Sequence, residues 1–135
     1  MRFVDTNVLL YAISRDPGEH RKAERAVELL AARDLALSVQ VLQEFYVEAT
    51  RSSRPDRLPH TKASDLVTAF TRFTVLDLTV PLVHAAMEGR DRYGLSYWDA
   101  AIIAAARTLG CDQVLSEDLS HGQDYDGVIV LDPFR

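Results

Sequence analysis

The sequence predicts an α/β fold in which a parallel sheet of about five strands is covered by helices on both faces. Three observations predict it. Short apolar runs that read as strands alternate along the chain with longer stretches of helical periodicity, the pattern of a parallel sheet with helical crossovers. The 135 residues suit one domain, expected to span residues 1–135, and are enough to bury a core without staples. The composition, 47% apolar and 26% charged, is that of an ordinary globular protein, with no internal repeat and no low-complexity tract.

Arg2 to Asp5 reads as a short strand that ends on an acid. Asn7 to Ile13 is a short helix, with Val8, Leu9, Ala12 and Ile13 at helical spacing. Asp16-Pro17-Gly18 is a turn. An amphipathic helix follows from about Glu19 to Arg33, its apolar stripe being Ala23, Ala26, Val27, Leu30 and Ala31. Leu35 to Ser38 is the second strand. Val39 to about Arg51 is a helix with Leu42, Phe45, Tyr46 and Ala49 on one side, and Ser52 to His60 is a polar, proline-containing loop. Thr61 to Phe73 is a helix with Leu66, Phe70 and Phe73 in register, and Thr74 to Leu78 is the third strand. Pro81 sits where the first turn of a helix tolerates it, and Val83, Ala86 and Met87 carry that helix to about Tyr93. Ser96 reads as the N-cap of a helix from Tyr97 to Leu109 that Gly110 stops. Gln113 to Ser116 and Gly127 to Leu131 are the fourth and fifth strands.

The formal net charge of −5 argues against charge-driven coating of nucleic acid, but not against a site where bound cations meet a phosphate. One cysteine, Cys111, excludes an internal disulfide and is read as a small buried hydrophobe. No apolar run approaches the ~18 residues of a membrane span, and an acid interrupts the first apolar stretch, unlike a signal peptide. The expected location is cytoplasmic.

In a parallel α/β sheet the ligand site lies at the carboxyl ends of the strands. Asp5 ends the first strand and Asp118 follows the fourth, so both belong to that edge. Asp99 lies in the first turn of the helix leading into the fourth strand, and Glu44 lies on a helix among apolar neighbours. Each acid alone has an ordinary use. Asp5 suits a helix cap, Asp99 a helix dipole, Glu44 a solvated helix face and Asp118 a turn. Those uses explain the set poorly. Clustered carboxylates raise one another's pKa unless a cation joins them, and hard ions such as Mg²⁺ or Mn²⁺ take oxygen ligands. His20, His60, His84 and His121 are scattered and show no zinc spacing.

These residues resemble a known family. Phe3-Val4-Asp5-Thr6-Asn7-Val8-Leu9 resembles the opening strand of PIN domains, in which an Asp is followed by a hydroxyl residue and then Asn. Glu44 in Val41-Leu42-Gln43-Glu44-Phe45, Asp99 in Ser96-Tyr97-Trp98-Asp99-Ala100 and Asp118 in Ser116-Glu117-Asp118 resemble the family's later acidic elements, in order, over nearly the whole chain. The compact length is similar to that of VapC toxins of bacterial and archaeal toxin–antitoxin pairs. Gly122-Gln123 and Asp132-Pro133-Phe134 resemble one subgroup of these toxins less specifically.

The resemblance implies a PIN-like three-layer fold and a Mg²⁺- or Mn²⁺-dependent endoribonuclease. It implies a VapB-type antitoxin partner and a homodimer. It assigns Asp5, Glu44, Asp99 and Asp118 to the catalytic metal site, with Thr6, Asn7 and Ser116 supporting them by hydrogen bonds. The chain departs from the family pattern after the last motif. Leu119-Ser120-His121-Gly122-Gln123 carries no further acid and Asp124 comes late, which leaves the number of metal ions open. Arg51, Arg54, Arg57 and Lys62 are candidates to hold RNA phosphates, beside the plainer reading of a solvated loop. Trp98 is a candidate to stack on a base, beside the plainer reading of helix packing. Candidate antitoxin contacts are Leu9, Ile13, Val27, Leu30, Phe45 and Tyr46, although core packing suits most of them.

Three other readings fit less well. A haloacid-dehalogenase phosphatase needs Asp-x-Asp at the first strand, where this chain has Asp5-Thr6-Asn7. A response-regulator receiver needs a lysine after its last catalytic strand, and no lysine follows Lys62. A non-catalytic PIN-like module would not need the intact acid set. An RNA-processing PIN nuclease without an antitoxin remains an alternative.

Overall fold

A computed structural model describes the chain from Met1 to Arg135. One sheet holds six strands: β1 (Arg2–Val4), β2 (Leu35–Ser38), β3 (Thr74–Leu76), β4 (Gln113–Leu115), β5 (Asp124–Tyr125) and β6 (Val128–Leu131). Six α-helices accompany it: α1 (Thr6–Ala12), α2 (His20–Leu30), α3 (Val39–Ala49), α4 (His60–Phe70), α5 (Val80–Tyr93) and α6 (Tyr97–Thr108). A 3-10 turn, Pro17–Glu19, leads into α2. The strand order is β3-β2-β1-β4-β6-β5. Every neighbouring pair is parallel except β5 with β6. The result is the expected three-layer α/β fold.

The strands are short because both faces are covered and each needs only a few apolar residues to fill its place. Phe3, Val4, Ala36, Leu37, Val114 and Val130 are fully buried. α6 is the most enclosed helix, with every residue from Ala100 to Ala106 buried. Ile102, Ile103, Ala105 and Ala106 join the main core, while Ala101 and Ala104 pack with Leu82 and Ala86 of α5 in a smaller one. Small residues let these two helices approach: a Cβ added at Gly89 would stand 3.5 Å from that of Ala100. Packing on two sides fixes α6, and with it the Asp99 turn, against the sheet.

The structure corrects several boundaries. There are six strands rather than about five. β5 has two residues, too few to show alternation, and pairs back on β6 through Asp126-Gly127, both at positive φ (53° and 98°). An Asp-Gly pair is the sequence signal for such a hairpin turn. α2 starts at His20, and its buried residues are Ala26, Leu29 and Leu30. Val27, placed on the stripe by periodicity, is 57% exposed, so the true face is rotated. β3 ends at Leu76, two residues early, and Phe73 is buried beyond the end of α4. Cys111 is buried as expected. No helix is long and apolar enough to cross a membrane.

Candidate active site

From β1 the chain steps outward to β2 and β3, then crosses back to place β4 on the other side of β1. That reversal makes the carboxyl ends of β1 and β4 the topological switch point of the sheet, where open α/β sheets bind their ligands. Val4 stands opposite Leu115, and the backbone amide of Asp5 donates to the Leu115 carbonyl at 3.0 Å. The register therefore sets Asp5 beside Ser116, with Asp118 two residues further on.

Asp5 is 5% exposed and has two tasks. Its Oδ1 accepts from the Thr6 amide at 2.8 Å, capping α1. Its Oδ2 accepts from Ser116 Oγ at 2.7 Å and from Asn7 Nδ2 at 3.4 Å. The Asn7 amide also donates to Ser116 Oγ (3.2 Å) and Asp118 Oδ2 (3.3 Å), and Asn7 Oδ1 accepts from the Glu117 amide (3.1 Å). Asn7 thus clamps the start of α1 to the loop after β4.

Ser38 caps α3, which places Gln40 and Glu44 one turn apart on one face. Thr6 Oγ1 donates to Glu44 Oε2 at 2.7 Å, and Gln40 Nε2 donates to Glu44 Oε1 at 2.8 Å. Gln40 Nε2 also reaches the Trp98 carbonyl at 3.3 Å, tying α3 to the first turn of α6. Ser96 caps that turn by accepting from the Asp99 amide at 3.1 Å. Gln40 escaped sequence reasoning, because a glutamine on an amphipathic helix reads as solvated.

The four acids interact electrostatically. Burial pushes the Asp5 carboxyl up to about 6, against the hydrogen bonds from Ser116 and Thr6 and with help from the charges of Asp118 and Glu44. Burial also raises Asp99, opposed by its bond with Ser96 and reinforced by Asp118 and Glu44. No Lys, Arg or His forms an ion pair with any of the four. Their neighbour Glu117 differs: it is bound by Lys22 at 2.5 Å and by the Tyr11 hydroxyl at 2.6 Å.

The family model for the PIN domain matches residues 2–122, a span that holds every one of these side chains. The chain belongs to the PIN domain family. Its fold is similar to that of VapC20 from Mycobacterium tuberculosis, a toxin that cleaves the sarcin-ricin loop. The TM-score is 0.68 at 22% identity, over 87% of this chain and 92% of that one. A toxin–antitoxin complex from Klebsiella pneumoniae gives 0.70 at 19% identity over 98% of both chains. DNA-bound VapBC from Salmonella typhimurium gives 0.67 at 22% identity, over 98% and 97%. No curated protein matches the chain in sequence.

Not every predicted residue joins the acids of this PIN domain. Arg51 pairs with Glu48 and Arg54 with Asp56, while Arg57 and Lys62 are exposed. Their loop is anchored through Asp56 to the Arg15 amide, beyond the end of α1 distant from Asp5. Trp98 does not pack on a helix face: it is 63% exposed, one residue from Asp99. Asp124 accepts from the Gly127 amide in the β5–β6 turn. Among the histidines, His20 pairs with Glu24, His60 meets the Tyr46 hydroxyl and His121 accepts from the Asp132 amide. Of the candidate antitoxin contacts, Leu9, Leu30 and Phe45 are buried, Ile13 and Tyr46 are half-buried and Val27 is exposed.

The donor chemistry fits a hard divalent cation: four carboxylates, no thiol and no imidazole. As they stand, no three of the side chains are arranged to grip one ion directly.

Proposed function

We propose that the chain is a Mg²⁺- or Mn²⁺-dependent endoribonuclease, the toxin of a type II toxin–antitoxin pair. One observation carries the nuclease reading. The charges of Glu44 and Asp118 act on both Asp5 and Asp99 and no Lys, Arg or His pairs with any of the four, while the adjacent Glu117 has a lysine of its own. Such a set lacks its counter-charge until a cation enters.

Asp5, Asp99 and Asp118 would hold the ion, directly or through water, and Glu44 would complete the site or orient the attacking water. When bound, the ion would acidify that water and offset charge building on the phosphate oxygens. Ser116 and Asn7 hold Asp5 Oδ2, Asn7 also holds Asp118 Oδ2, and Thr6 and Gln40 hold both oxygens of Glu44. Carboxylates held this way need little rearrangement when charge develops. The overall reaction adds water to phosphorus, breaks a P–O bond of the strand and returns a proton to the leaving oxygen.

The toxin reading, with a VapB-type antitoxin and a homodimer, is supported by the fold shared with toxin–antitoxin proteins. Exposed Val27 on α2, and Leu78, Val80 and Met87 at α5, offer apolar surface for protein partners. An antitoxin would reach the uncompensated acids with an Arg or Lys.

The test is cleavage of a generic RNA after EDTA treatment and after metal is added back. Cleavage restored by Mg²⁺ or Mn²⁺ supports the reading. Full cleavage by protein shown to be free of metal contradicts it. Co-purification from the native host tests the antitoxin separately; a chain always recovered alone, and harmless when overproduced, is not a toxin.

A further inference from the structure

Trp98 is the only tryptophan in the chain, and 63% of it is exposed. Tryptophan is a large apolar side chain that proteins bury on average, so one left this bare, adjacent in the chain to Asp99, stands out as a candidate contact for a ligand. It stands in the first turn of α6, one residue before Asp99, where the Ser96 cap fixes the backbone. Its carbonyl is held by Gln40, the same amide that holds Glu44. Its ring meets Tyr97 edge to face, with centroids 4.9 Å apart and planes at 86°, a contact that steadies the ring and leaves most of it bare.

We propose that Trp98 is a stacking platform for one unpaired base of the substrate strand, adjacent to the phosphate addressed by the acids. The inference rests on the nuclease reading above and deepens it, because it assigns selectivity for unpaired nucleotides to one residue. Stacking suits this protein. The net charge is −5 and Arg51 and Arg54 are already paired, which leaves fewer cations to grip the backbone. A base face on an indole supplies affinity with no cation, and any base qualifies. Bases inside a duplex keep their faces stacked on each other, so the platform works only on a strand that splays a base out. A backbone pinned by Gln40 and Ser96 lowers the entropy lost when a base settles.

The single tryptophan makes the test direct. Wild-type protein with Mg²⁺ is mixed with a short single-stranded oligoribonucleotide of mixed sequence, or with that strand annealed to its complement. Emission and product are followed together. The expected result is a change in Trp98 emission before product appears, with the single strand and not with the duplex. Trp98→Ala should raise KM for the single strand roughly ten- to a hundredfold with kcat little changed. Trp98→Phe should recover most of the loss, which a general structural defect would not allow.

The proposal is overturned if single-stranded RNA leaves the emission unchanged. It is equally overturned if Trp98→Ala keeps the wild-type KM, if it slows single strand and duplex alike, or if the emission responds only to an added protein partner. In those cases metal-dependent cleavage by the wild type still upholds the nuclease reading. If the wild type cleaves no RNA under any metal, the nuclease reading falls, and the platform with it.

Discussion

The side-chain amide of Asn7 lies 3.3 Å from Asp118 Oδ2, joining residues 111 positions apart in the sequence. The same amide touches Ser116 and Asp5, and its oxygen accepts from Glu117. One short side chain at the start of α1 therefore sets the positions of two acids and of the loop that carries the second.

Asn7→Ala should lower cleavage about 10- to 100-fold, the usual loss when a hydrogen-bonding support of a metal ligand is removed. Asn7→Asp should be worse, because it replaces a donor with another negative oxygen among carboxylates. Steady-state rates across a Mn²⁺ titration check this. Both variants should need more Mn²⁺ for half-maximal rate than wild type.

Gln40 gives a prediction of a different kind. Gln40→Leu keeps the bulk but removes the donor that Glu44 and the Trp98 carbonyl share. The expected outcome is a kcat lower by roughly tenfold or more, with melting temperature close to wild type. Unchanged kcat in a folded Gln40→Leu protein would show that Thr6 alone suffices to orient Glu44.

Asp5 predicts a pH dependence of stability. Its carboxyl is raised from 3.8 to about 6 in the fold, so the folded state keeps a proton that the unfolded chain has released. Metal-free stability should therefore fall as pH rises from about 4 to 6 and level off above. At 1.36 kcal/mol per pKa unit the cost reaches about 2–3 kcal/mol. Asp5→Asn should flatten that part of the curve, as read from urea midpoints in EDTA. A variant curve parallel to wild type between these pH values would refute the burial of a charged Asp5.

Much of this was legible in the sequence. The alternation of strand and helix fixes the sheet as parallel, and Asp5 and Asp118 stand at strand ends whatever the exact boundaries are. The losses have physical reasons. β5 is too short to carry a period, and only Asp126-Gly127 marks it. On α2, Val27 and Leu29 both fit a stripe with Ala26 and Leu30, and only tertiary packing chooses between them. Gln40 and the Trp98 carbonyl meet across 58 residues, a pairing no local pattern records. For Trp98 the sequence offered both stacking on a base and helix packing, and only the fold shows how exposed the side chain is. The loop arginines looked free for phosphate because the sequence does not show that Glu48 and Asp56 claim two of them.

Asp99 offers the sharpest test of whether the acids form a metal centre. Melting temperature and RNA cleavage are measured for wild type and Asp99→Asn at neutral pH, in EDTA and in millimolar Mn²⁺. Removing one of four mutually repelling charges should leave the variant at least as stable as wild type in EDTA. Mn²⁺ should stabilise wild type markedly, by about 2.7 kcal/mol if the ion is at a hundred times its Kd. It should stabilise the variant much less, and the variant should lose most cleavage. A variant that melts below wild type in EDTA, gains as much from Mn²⁺ and still cleaves RNA at the wild-type rate would contradict the metal centre.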